Sequence, residues 1–139
     1  MRTTLNIHDP LFISAPNGGG LLYAHRHLLM PMVREDATGL ATTADGLLWC
    51  VQTVGEPRLR EIRQGQLNTV GLGTQPLDLH DVLVDGGDIY AVFTETNQVA
   101  RLDQAFRVQQ VWSFGAEPDS SHVNCLALHH GRLLASMFG

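Results

Sequence analysis

The feature that most restricts the fold of this chain is a recurrence. Gly46, Gly87 and Gly131 each separate a short apolar run from an apolar or aromatic one, and they stand 41 and 44 residues apart. The text around them is comparable: GLATTADGLLWCV, HDVLVDGGDIYAV and NCLALHHGRLLAS. In the first two copies two more strand-like runs follow, RLREIRQGQLNTV and QVARLDQAFRVQQV. Four antiparallel strands, a to d, repeating at this spacing match the ~40–45-residue period of a β-propeller blade.

The rest of the chain fits the same unit. Its apolar runs are short and alternating, and Gly, Asn or Asp bounds them. No window keeps a helical period over ten residues; His27–Arg34 comes nearest, and Pro31 in its middle opposes a helix. The fold class predicted is all-β. Residues 11–34 read as strands b, c and d of a first blade, 39–71 and 77–115 as two whole blades, and 120–139 as strands a and b of a fourth. The strand order is bcd-abcd-abcd-ab, a partial β-propeller of about three blades spread over residues 1–139 as one unit. Closed propellers carry ~4–8 blades, and a blade buries its faces only against its neighbours. The expectation is a piece of a longer protein. Self-association of such arcs into a ring is the alternative.

Composition excludes several functions. With 44% hydrophobic and 17% charged residues, the 139-residue chain is an ordinary globular one. A net charge of −5 without clustered basic residues argues against nucleic acid and anionic membrane surfaces as partners. There is no lysine, so Schiff-base and P-loop lysine chemistry are excluded. Cys50 and Cys125 lie in apolar runs with no zinc-site spacing, and two buried free thiols are expected. The N-terminal MRTTLNIHDPLF has no apolar core of a signal peptide, and no run approaches the ~20 apolar residues of a membrane span. A cytoplasmic location is the expectation.

LFISAPNGGGLLY, GLA–x3–DGLLW, HDVLVDGGDIYAVFTETNQVARLD and SSHVNCLALHHGRLLASMFG together resemble a family of uncharacterised bacterial β-propeller-like proteins that share a conserved domain of unknown function. The resemblance covers residues 11–139. It implies a propeller longer than this chain, and an association with glycosyltransferases, sulfotransferases or tetratricopeptide proteins. It carries over no catalytic residue.

Ligands of propellers usually sit at a mouth of the central channel, near the start of the innermost strand a. Asp78 and His80 precede strand a of the third copy; His122 and Asn124 precede that of the fourth, 44 residues on. Residues two apart on a strand share a face, so adjacent blades aim two polar pairs at one mouth. In the second copy, 41 residues earlier, stand Ala37 and Gly39, so the cluster reads as local. Asp78, His80, His122 and Asn124 are the candidate ligand-binding residues. A divalent metal is the only cofactor such a set would take; otherwise no cofactor is evident. The opposing reading is that these side chains bond the next blade's backbone. Asp81 is expected on the other face from His80.

Other groupings are weaker. His129–His130 falls in a turn, His25 and His27 lie two apart on an exposed run, and NGGG at Asn17–Gly20 reads as a hairpin without a P-loop's helix. GLGT at Gly71–Thr74 reads as a connection between blades. Asp119, Ser120, Ser121 and His122 supply the letters of a hydrolase triad without a nucleophile elbow, and Cys125 and His122 fall on opposite faces. Trp49, Tyr90, Phe93, Trp112 and Phe114 read as packing between blades. The function expected is a non-catalytic β-propeller module that binds a ligand, a carbohydrate or a protein, in carbohydrate or cell-envelope metabolism. A metal-dependent hydrolase or lactonase with its site in the channel is the alternative.

Overall fold

The computed structural model describes residues 7–51, 58–72 and 78–138. The first six residues, the second half of the Gly71–Thr74 connection and the expected blade limits at 77 and 139 lie outside them. All regular structure described is β, in four antiparallel sheets. The first sheet holds β1 (Ile7–Ala15), β2 (Gly20–Arg26) and β3 (Leu28–Val33). The second holds β4 (Ala37–Thr43), β5 (Gly46–Val51), β6 (Arg58–Arg63) and β7 (Gln66–Gly71). The third holds β8 (Leu79–Asp85), β9 (Asp88–Phe93), β10 (Gln98–Leu102) and β11 (Val108–Ser113), and the fourth β12 (Leu126–His129) and β13 (Arg132–Ala135). The sheets have three, four, four and two strands, the order bcd-abcd-abcd-ab.

Sequence explains the hairpins. Gln64–Gly65 and His130–Gly131 both have positive φ at the two central positions, the type I′ geometry that matches the twist of the flanking strands. Alternation explains the stacking. In β5, Leu48 and Cys50 face one way and Leu47, Trp49 and Val51 the other, and both faces are buried. Leu48, Cys50 and Leu59 pack against Leu79, Val82, Ala91 and Leu102 of the third sheet. Trp49 and Val51 pack with Leu21 of the first. Val92 and Val99 of the third sheet meet Val123, Leu126 and Leu133 of the fourth. The second and third sheets are thus each a layer between two others, the packing a propeller requires.

The innermost strands meet closely. A Cβ on Gly39 would lie 2.3 Å from Asp81 Cα, so β4 and β8 come together at a distance no other residue permits. Both strands carry a bulge at their start, between Ala37 and Leu40 and between Leu79 and Asp81. Bulges re-aim side chains, and these lie where the candidate residues stand.

Candidate functional site

Strand pairing aligns the blades more sharply than spacing does. Ala37 pairs with Val51, and Leu79 with Phe93, each just ahead of a bulge, so the second and third sheets are offset by 42 residues. Asp85 pairs with Asp88, and His129 with Arg132, so the third and fourth sheets are offset by 44 residues. Thr38 ties the two inner strands directly, donating its hydroxyl hydrogen to the Leu79 carbonyl at 2.6 Å. The counterpart of His80 in the second sheet is therefore Thr38, not Gly39, and that of Asp78 is Asp36, not Ala37. The polar pairs recur on three successive blades: Asp36 and Thr38, Asp78 and His80, His122 and Asn124.

Thr38, His80 and Asn124 line one cavity of about 520 Å³, together with Ser14, Asn17 and Asp81. Asp36 accepts a hydrogen bond from the Gly18 amide at the turn that supplies Asn17. His80 is engaged at both ring nitrogens: Nε2 lies 2.8 Å from Asp78 Oδ2 and Nδ1 3.5 Å from Asn124 Oδ1. His122 stands edge-on to His80 with ring centres 5.5 Å apart, and its Nδ1 lies 2.6 Å from Asp119 Oδ1. Phe138 stacks on the His122 ring at 4.8 Å. All four residues predicted from sequence are thus gathered, His80 as their hub. Thr38, Asp36, Asp119 in this role and Phe138 were missed. The first two were missed because Gly46 corresponds to Asp88 and not to Gly87, and a 42-residue alignment of the apolar pairs Ala37–Val51 and Leu79–Phe93 is the signal that finds them.

Asp81, expected on the other face from His80, lines the same cavity but makes no hydrogen bond to His80 among the described residues. It holds neighbouring backbone, accepting from the Val82 amide at 2.9 Å and from the Leu126 amide of the fourth sheet at 2.7 Å. Burial pushes its carboxyl up, and the two amide hydrogen bonds oppose that rise. Burial also pushes the Cys50 thiol up, with Asp81 adding to the shift, so Cys50 is an inert core group. Cys125 is exposed rather than buried: it stands just ahead of β12 and borders the open cavity.

The triad letters do not assemble. Ser120 Oγ accepts from Asn97, and the Ser121 hydroxyl donates to the Phe114 carbonyl, so both serines fasten the loop. His129 and His130 contact each other in the β12–β13 turn, away from the cavity. Trp49 and Phe93 are core residues, while Phe114 borders a separate groove with Trp112 and Met137. Among the described residues no three His, Cys, Asp or Glu side chains are grouped to hold a metal ion. No described helix is long and apolar enough to cross a membrane.

Four layered sheets around close-set inner strands are part of a β-propeller, and solved structures agree on that fold. Virginiamycin B lyase from Staphylococcus aureus superposes with a TM-score of 0.70 at 13% identity, over 96% of this chain and 46% of that one. A catalytically inactive variant of the Staphylococcus aureus lyase with quinupristin gives 0.72 at 12% identity, over 92% and 45%. Glutaminyl cyclase from Myxococcus xanthus gives 0.56 at 15% identity, over 84% and 52%. The chain therefore spans about half the length of the structures it matches. No family model matches it, and no curated protein does.

Proposed function

We propose that this chain is part of a β-propeller module that binds an uncharged, hydrogen-bonding ligand, a carbohydrate by preference, at the mouth of its channel. The observation that carries this reading is the recurrence of a polar residue, Thr38, His80 and Asn124, at or just ahead of the starts of three successive inner strands, all lining one cavity. The lining offers hydroxyl, amide and imidazole groups with one carboxylate, Asp81, and no arginine. Such a wall suits hydroxyl and amide groups and is poor for phosphates or carboxylates, which call for Arg or Lys. No reaction is assigned to the site in this reading. A role beside carbohydrate- or envelope-modifying enzymes follows from the family resemblance alone.

The test is calorimetric titration of the protein with a panel of soluble oligosaccharides. Binding should weaken about tenfold in His80→Ala and in Asn124→Ala, the loss expected for one hydrogen-bonding group. Equal affinity in the variants, or no binding by any oligosaccharide, sinks the carbohydrate reading. Bound metal that is lost in the same two variants supports instead a metal-dependent hydrolase or lactonase at this mouth.

A further inference from the structure

We infer that Asp119 and His122 form a proton-accepting dyad at the rim of the channel mouth, placed to take a proton from a hydroxyl or amide group of a ligand bound there. The inference relies on the binding reading for its ligand, but its geometry stands alone. A carboxylate accepts hydrogen bonds and donates none. The 2.6 Å contact between Asp119 Oδ1 and His122 Nδ1 therefore puts a ring hydrogen on Nδ1. In the neutral ring Nε2 then carries the lone pair, and among the described residues it has no hydrogen-bond partner. His80 differs, since both of its nitrogens face oxygen. Of these two imidazoles, His122 alone has a ring nitrogen without a hydrogen-bond partner among the described residues. When it does, the ligand's O–H or N–H bond breaks, the electron pair stays on the ligand, and the new imidazolium faces Asp119.

The loop that carries the dyad is built to hold it. Asp119 and His122 have φ values of 53° and 35°, left-handed conformations that non-glycine residues adopt at a cost. Asn97, buried beneath the loop, holds it without help from the dyad. Its side-chain amide donates to the Glu117 carbonyl at 2.6 Å, and its Oδ1 accepts from the Ser121 amide at 2.8 Å. The Asp119 amide donates to the Glu95 carbonyl at 2.9 Å. The loop is fixed at both sides, so the Asp119–His122 contact is not needed to close it. Phe138 on one face and the edge of His80 then set the plane of the ring. The titratable groups placed against His122 are Asp119 and His80, with Asp78 behind His80.

The test needs no natural ligand. The probe is 5-nitrobenzisoxazole, whose C3–H proton goes to the base as the N–O bond opens to a phenolate that absorbs visible light. The protein should accelerate this reaction over an equal concentration of free imidazole. His122→Ala should lose at least about tenfold of that rate, within the usual reach of general-base catalysis. Asp119→Asn should lower it while leaving the thermal melt unchanged. If His122→Ala disturbs the melt, His122→Gln takes its place. Nitrogen-15 shifts of the ring, recorded without ligand, should show His122 hydrogen on Nδ1. A rate that survives in the His122 variant, a rate no greater than that of free imidazole, or a hydrogen on Nε2 overturns the proposal. None of these outcomes bears on whether an oligosaccharide binds, so the two readings fail separately.

Discussion

At the scale of single residues, the site is a matter of which oxygen faces which nitrogen. The 44-residue offset in the sequence placed Asp78, His80, His122 and Asn124 together, because two copies with the same local layout aim their side chains alike. It could not show that His80 ends up with both nitrogens engaged and His122 with one, since that depends on loop backbone. Asp103 is a simpler case. Its carboxylate accepts from the Ala105 and Arg107 amides at 2.9 and 3.0 Å and pairs with the Arg107 side chain. The Arg107 backbone bond first, then the other Arg107 and Ala105 contacts, hold its carboxyl below the usual carboxylate range. A depressed folded value means that the contribution is complete above the unfolded value of about 3.9 and is lost as pH falls through the folded one. The Ala105 and Arg107 amide resonances should move together in that lower window, below the titration of a free carboxylate. Movement centred at or above about 3.9 contradicts the pairing.

At the scale of strands, the repeat was legible and its exact phase was not. Gly46, Gly87 and Gly131 mark the a–b turns, and these turns are where the structure puts them. Gly46 is the first residue of β5, but its counterpart at the start of β9 is Asp88, and Gly87 stands one place earlier, in the turn. Counting back 41 residues from glycine to glycine therefore landed on Ala37 and Gly39, one place late. The fourth sheet hangs on few contacts, and Asp81 is prominent among them through its bond to the Leu126 amide. Asp81→Ala should free this amide and expose β12 and β13, with a loss of about 1–3 kcal/mol as a buried donor goes unsatisfied. Hydrogen exchange should then quicken over Leu126–Ala135 while β4–β7 stay protected. Uniform quickening across all four sheets contradicts a local role.

At the scale of the whole molecule, the layered order came directly from the apolar alternation. The outward side of the first sheet is formed by Leu11 and Leu29 in one row, with Ala24 shielded between them, and Ile13, Leu22 and Pro31 in the next. Leu11 is 45% exposed and Leu29 61%. On the third sheet the matching side, with Ile89, Ala91 and Leu102, is buried against the second. A bare apolar face of this kind promotes association. The 139-residue chain should elute larger than its mass in gel filtration, and Leu11→Asp with Leu29→Asp should shift it towards the monomer. An unchanged profile in the double variant means that another surface drives association.

The outward side of the fourth sheet is not a copy of that face. It presents Ala127 with Leu134 and, beyond them, His129 with Arg132. One end of the arc is wholly apolar and the other carries Arg132 beside its apolar residues, so the two ends are unlike. A contact that joins unlike ends is heterologous and has a direction. Stacking of layers along this axis is therefore vectorial. A grafted or duplicated blade has a sense, and it continues the arc only when its own two faces run in the same order.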